Sequence, residues 1–75
     1  MTKEISPNQL TFFIGKKVRI NLRTNEKLEG ILNGFDQFTN LTLTNLFVIV
    51  GDKTENIGYS LVRGNMIISI QPIEQ

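Results

Sequence analysis

Lys17-Val18-Arg19-Ile20-Asn21-Leu22-Arg23, followed after a short polar interval by Leu28-Glu29-Gly30-Ile31-Leu32-Asn33-Gly34-Phe35, is the stretch that decides the fold. In its first half Val18, Ile20 and Leu22 alternate with Lys17, Arg19, Asn21 and Arg23. A period of two sends successive side chains to opposite faces, the pattern of a half-buried strand. The second half carries Gly30 and Gly34 inside a second strand. Glycine within a strand marks a bulge or a sharp bend, and two so close together predict a strand curved enough to help close a barrel. Thr24-Asn25-Glu26-Lys27 between the halves reads as a turn.

Toward the C-terminus the same alternation continues. A loop at residues 36–39 leads to a strand over about 40–50, whose alternation slips near Asn45-Leu46 and so predicts another bend. Residues 51–56 read as a polar hairpin tip. Ile57, Tyr59 and Leu61 alternate again, Arg63-Gly64-Asn65 makes a tight turn, and residues 66–71 form the last strand. Toward the N-terminus, Ser6 is suited to an N-cap, Pro7 to the first helical position and Gln9 to a capping box. Leu10, Phe13 and Ile14 then share one helical face, and Gly15 can end the helix in a left-handed conformation.

The expected architecture is therefore all-β: a short helix over about residues 7–14, then a five-stranded, strongly bent antiparallel sheet or small barrel over about 17–71, within one domain spanning 1–75. Leu61, Val62, Met66, Ile67, Ile68 and Ile70 make the last two strands apolar on both faces. One face fills the core; the other face and the open sheet edge call for cover, which a neighbouring subunit would supply.

Composition narrows the function. The 75 residues suffice for one domain, and an apolar share of 40% is that of a globular chain. There is no cysteine and no histidine, which removes a disulfide, a zinc site built on either residue, a thiol nucleophile and the commonest general base. Lack of cysteine fits a reducing compartment. No signal-peptide pattern and no run long enough to cross a bilayer is present, so no membrane partner is expected. Ser6, Ser60 and Ser69 lack a Gly-x-Ser-x-Gly setting, and Glu26 and Glu29 flank a polar turn with nothing apolar to raise a pKa. There is no phosphate-cradling glycine loop. These features argue against an enzyme, a small-molecule substrate, a cofactor or a metal. Eight basic and seven acidic side chains give a net charge of +1, too little to hold nucleic acid by a broad field alone. RNA binding would need a shaped site, or contacts shared among subunits.

Gly30-Ile31-Leu32-Asn33-Gly34-Phe35-Asp36-Gln37-Phe38-Thr39-Asn40-Leu41, paired with Leu61-Val62-Arg63-Gly64-Asn65, resembles the two signature motifs of the Sm and Sm-like family in content and separation. The likeness covers nearly the whole chain, and the Gly-Phe-Asp-x-Phe-x-Asn core with the Arg-Gly-Asn-x-Ile-Ile ending is most similar to the G-type members. Gln37, where those members carry proline, Thr24 to Lys27 in place of a glycine-rich turn, and Thr42, Thr44 and Asn45 where an acidic residue usually follows Asn40-Leu41 depart from that type.

The resemblance implies an Sm fold and a subunit of a seven-membered heteromeric ring, joined through edge strands, that assembles on single-stranded, uridine-rich small nuclear RNA for splicing. It further implies a nuclear and cytoplasmic location. Carried onto this sequence, Phe38 would stack on a base and Arg63 would lie against the base's other face. Asn40 would match the uracil edge, Asp36 would orient that amide, Gly64 would allow close approach to the nucleotide, and Asn65 would add a polar contact. Read outside the motif, Phe38 is a core plug, Asn40 a strand start and Arg63 a solvated strand end. Two alternatives stand beside this function: an Sm-like counterpart in a ring that serves RNA decay or binds an oligouridine end, and an SH3-like protein-binding adaptor with no RNA role. The adaptor is disfavoured because its grooves display several exposed aromatics, whereas the five Phe here fall mostly at core-like positions.

Overall fold

The computed structural model describes residues 4–73. Five strands follow a helical N-terminal segment: β1 (Lys17–Leu22), β2 (Lys27–Phe35), β3 (Leu41–Val50), β4 (Lys53–Val62) and β5 (Ile67–Pro72). They form one antiparallel sheet in the order β4-β3-β2-β1-β5. The expected all-β class, with a bent five-stranded sheet, is the observed one. β4 and β5 are its two edges, joined in sequence by the turn at Gly64–Met66 but belonging to opposite ends of the sheet.

The bends lie where the glycines are. The β2–β3 register shifts between Glu29 and Ile31 and again between Leu32 and Gly34. A side chain at Gly30 would meet the Thr44 carbonyl oxygen at 3.0 Å and Leu46 Cδ1 at 3.1 Å, so the β3 backbone packs into the space that glycine leaves. The slip expected near Asn45-Leu46 is also present: Asn45 has φ +50° and the β3–β4 register shifts on both sides of Leu46.

Bending wraps the sheet around an aliphatic core. Leu10, Val18, Ile20, Leu32, Leu41, Leu43 and Leu46 are fully buried. Ile20 sits between Leu28 of β2 and Ile70 of β5, and Leu32 lies opposite Leu43. Burying each such side chain contributes about 1.5–3 kcal/mol. No phenylalanine is in this core: Phe12 and Phe38 are largely exposed, Phe35 is partly so, and Phe13 and Phe47 are half-buried. The expectation that the Phe residues occupy core positions is corrected. Branched aliphatics fill the tight interior of the bent sheet, and exposed Phe12, Phe35 and Phe38 mean that hidden aromatics do not disfavour an adaptor.

Other boundaries differ from the sequence reading. The N-terminal segment is a 3-10 helix over Pro7–Phe13. With three residues per turn, Leu10 and Phe13 share a face, while Ile14 falls outside the helix and is exposed. Gly15 does take a left-handed φ of +83°. The Gln9 side chain closes the capping box by accepting from the Ser6 N–H at 3.0 Å. Ile5 N–H donates to the Ile70 carbonyl and Gly15 N–H to the Leu32 carbonyl, both at 2.7 Å, so the segment is tied across the end of the sheet. Next, the β3–β4 hairpin tip is short: Val50 already pairs with Lys53 around Gly51 at φ +59°. Polar residues 53–56 continue the strand because an edge projecting beyond the core needs no apolar side chains. Asn40 precedes β3 rather than starting it, and Met66 belongs to the turn rather than to β5.

β4 is the least buried strand; only Val62 at its end reaches the core, and Tyr59 and Leu61 stand outward. Ile68 of β5 is likewise 60% exposed.

Candidate nucleic-acid interface

The sheet register builds the site. Leu41, the first residue of β3, pairs with Val62, the last of β4. The loop entering β3 (residues 36–40) and the turn leaving β4 (residues 63–66) therefore meet at one end of the sheet, although they are far apart in sequence.

Within the loop, Asp36 organises the backbone. Its Oδ1 accepts from the N–H of Phe38 at 2.9 Å and of Asn40 at 3.0 Å, and its Oδ2 accepts from the Asn40 side-chain amide at 3.0 Å. The Asp36 N–H donates to the Asn40 carbonyl at 3.2 Å and the Thr39 N–H to the Asp36 carbonyl at 3.1 Å, closing a tight turn in which Thr39 has φ +62°. These donors favour the charged carboxylate and hold the Asp36 pKa below its ordinary value; the Asn40 side-chain amide contributes most, then the Asn40 backbone N–H, with the Phe38 N–H adding less.

Asn40 links loop to turn. Its Oδ1 accepts from the Gly64 N–H at 2.7 Å while its Nδ2 donates to Asp36. Held at both ends, the carboxamide has one assigned orientation. Among the described residues its second N–H and second lone pair make no hydrogen bond. Phe38 is 69% exposed, which rules out the core-plug reading. Arg63 is exposed, and Arg19–Glu29 is the one ion pair among the described residues, so no carboxylate there holds the Arg63 guanidinium. Asn65 is exposed, with no hydrogen bond to its side chain among the described residues. Phe38, Asn40, Arg63 and Asn65 line one surface groove together with Ile68 of β5 and Pro7.

All six residues singled out from sequence thus come together, and Gly64 has a structural reason of its own to be glycine. A side chain there would run into the Phe38 carbonyl oxygen and come within 2.9 Å of the Thr39 carbonyl carbon. This close approach to the protein's own loop requires glycine whatever the turn binds. Sequence reasoning also missed Arg23, just beyond β1: its Nε–H donates to the Asn65 carbonyl at 2.9 Å and its backbone N–H to the Met66 carbonyl at 2.9 Å. The only signal was a basic residue at the end of an alternating strand, with nothing to indicate that β1 pairs with β5.

Residues 8–72 match the LSM domain model. The chain belongs to the LSM-domain family. The probable small nuclear ribonucleoprotein G of Arabidopsis thaliana is 35% identical to it over 74 residues, covering 99% of this chain and 92% of the relative. The small nuclear ribonucleoprotein G of Saccharomyces cerevisiae is 32% identical over 74 residues, covering 93% and 96%. Among solved structures, a heptameric archaeal Sm protein matches with a TM-score of 0.85 at 34% identity, covering 89% of this chain and 98% of that one. The LSM domain accounts for the helix, the bent sheet and the paired loops, and its G-type likeness extends over nearly the whole chain.

Proposed function

We propose that the chain, as a single Sm domain over residues 1–75, is one subunit of a heteromeric seven-membered ring that binds single-stranded, uridine-rich RNA. The ring would be the core of a small nuclear ribonucleoprotein serving pre-mRNA splicing, nuclear in its working form and also present in the cytoplasm. The similarity to small nuclear ribonucleoprotein G chains and to a heptameric archaeal Sm protein supports the assembly. One observation carries the RNA reading: an exposed aromatic, Phe38, and a guanidinium with no carboxylate partner among the described residues, Arg63, line one groove with a carboxamide held at both ends, Asn40.

In this reading a uracil ring lies between Phe38 and Arg63, a stacking contact of about 1–3 kcal/mol per base. The free N–H and lone pair of Asn40 meet its O4 and N3–H. Asp36 acts through Asn40, and Asn65 offers a further polar group to the same nucleotide. Such a site holds one base weakly; neighbours joined β4 to β5 around a ring sum the contacts into useful affinity. The chemistry offered is binding and positioning, and no catalytic role is assigned to any residue.

The test has two parts. Native mass spectrometry of the complex recovered with the tagged chain from its own cells reads the partners. Seven different small chains with RNA support the proposal, and their identities separate a splicing ring from a decay ring. Oligouridine crosslinking to this subunit, compared between wild type and Phe38→Ala/Arg63→Ala in the assembled ring, reads the base site. Unchanged crosslinking would remove the roles given to those two residues.

A further inference from the structure

The turn that carries Arg63, Gly64 and Asn65 is gripped from two sides. On one side the Gly64 N–H is bound to Asn40 Oδ1 at 2.7 Å. On the other the Asn65 carbonyl is bound by Arg23 Nε–H at 2.9 Å, and the next carbonyl, Met66, by the Arg23 backbone N–H at 2.9 Å. Among the described residues, the bonds given within the turn are Met66 N–H to the Arg63 carbonyl at 3.0 Å and Ile67 N–H to the Gly64 carbonyl. Three residues so lightly bonded do not fix the direction of an exposed arginine and asparagine by themselves.

We propose that Arg23 is a positioning residue for the base site. It holds the Asn65 carbonyl so that the Gly64 N–H stays on Asn40, and through that bond it sets the Asn40 amide toward the base. This deepens the reading of the groove given above and rests on it. The guanidinium suits the task because its Nε–H projects sideways from a planar group, so one donor is aimed at the carbonyl while the charged end remains in solvent. Arg23 is exposed, and a direct bond to an RNA phosphate would use its charge rather than its bond to Asn65. The two roles leave different traces. A phosphate contact contributes to the salt dependence of binding and is blind to base identity; a positioning contact alters base discrimination and leaves the salt slope alone.

The experiment uses the ring recovered with its partner chains, carrying Arg23→Ala in this subunit, with Phe38→Ala as the comparison. Oligouridine and oligocytidine binding are measured across a range of salt, and amide hydrogen exchange is followed over residues 63–66. For Arg23→Ala the expected result is a loss of uridine-over-cytidine preference of about 2- to 10-fold, the range for one hydrogen bond. The salt slope is unchanged and exchange across the turn is faster. Equal loss for both oligomers with the slope reduced by about 0.7, the value for one single-strand phosphate contact, would overturn it. Wild-type exchange at the turn would also overturn it. If Phe38→Ala leaves uridine binding unchanged, the base-site reading itself fails; the exchange measurement still decides whether Arg23 holds the turn.

Discussion

The Gly64 amide and the Asn40 carboxamide, 24 residues apart in sequence, are joined by a 2.7 Å hydrogen bond that makes one unit of a loop and a turn. Replacing Asn40 with Ala removes the acceptor from Gly64 and one donor from Asp36 together. Leaving a part-buried N–H without a partner costs about 1–3 kcal/mol. The urea midpoint of Asn40→Ala is expected to fall accordingly with an unchanged slope.

Gly64→Ala is expected to be worse than its exposure implies. The new methyl group would strike the backbone of Phe38 and Thr39, which cannot rotate away as a side chain could. Overpacking of this kind costs about 1–3 kcal/mol. A thermal midpoint equal to wild type would mean that the loop yields freely. By contrast, a methyl at Gly51 meets nothing within 4 Å, so Gly51→Ala carries only the cost of its φ of +59°.

Asp36 gives the loop an acid limit. Its folded pKa lies below the ordinary value of 3.8 because three N–H donors, led by the Asn40 side-chain amide, favour the charged form. A depressed carboxylate pKa contributes stability that is fully present above the unfolded value and is lost as pH falls through the folded one. Loop order is therefore expected to be constant from neutral pH down to the ordinary carboxylate range and to fail below it. Amide chemical shifts of Phe38 and Asn40 followed through an acid titration read this directly. Asp36→Asn should remove the transition at those two amides.

Leu61 and Ile68 are 57% and 60% exposed on the two edge strands. Changing either to Glu should leave the stability of the isolated chain within about 0.5 kcal/mol, as for other exposed positions. If these faces meet neighbouring subunits, the same changes bury an unpaired charge at each joint. Native mass spectrometry should then find separate chains in place of rings. Intact rings with either variant would move the joint elsewhere.

What the residues disclosed and what they withheld follow different physics. Alternation in Val18, Ile20 and Leu22, and the bends at Gly30, Gly34 and Asn45, are local properties, and each appears in the fold where the sequence put it. The segment Pro7–Phe13 is tied at Ile5 and Gly15 to strands far along the chain, and in its 3-10 form it ends before Ile14, which local periodicity includes in the helix. The Phe residues were misjudged because hydrophobicity alone does not say whether a tight interior has room for a ring. Motif content brought the groove residues Phe38, Asn40, Arg63 and Asn65 into view, together with Asp36, which is bonded to Asn40. The grip of Arg23 on Asn65 depends on β1 lying beside β5, a pairing across the sheet that no local pattern encodes.

The two open edges, β4 and β5, are different surfaces of one molecule. Contacts built from such a pair are heterologous, so copies or relatives joined through them line up with a direction, like links that each have a hook and an eye. A chain damaged on one edge alone keeps the other in working order. It would act as a terminator, taking its place at the end of a growing arc and preventing closure. Such a variant would be dominant over the intact protein in proportion to its abundance, whereas one damaged on both edges would be a silent bystander.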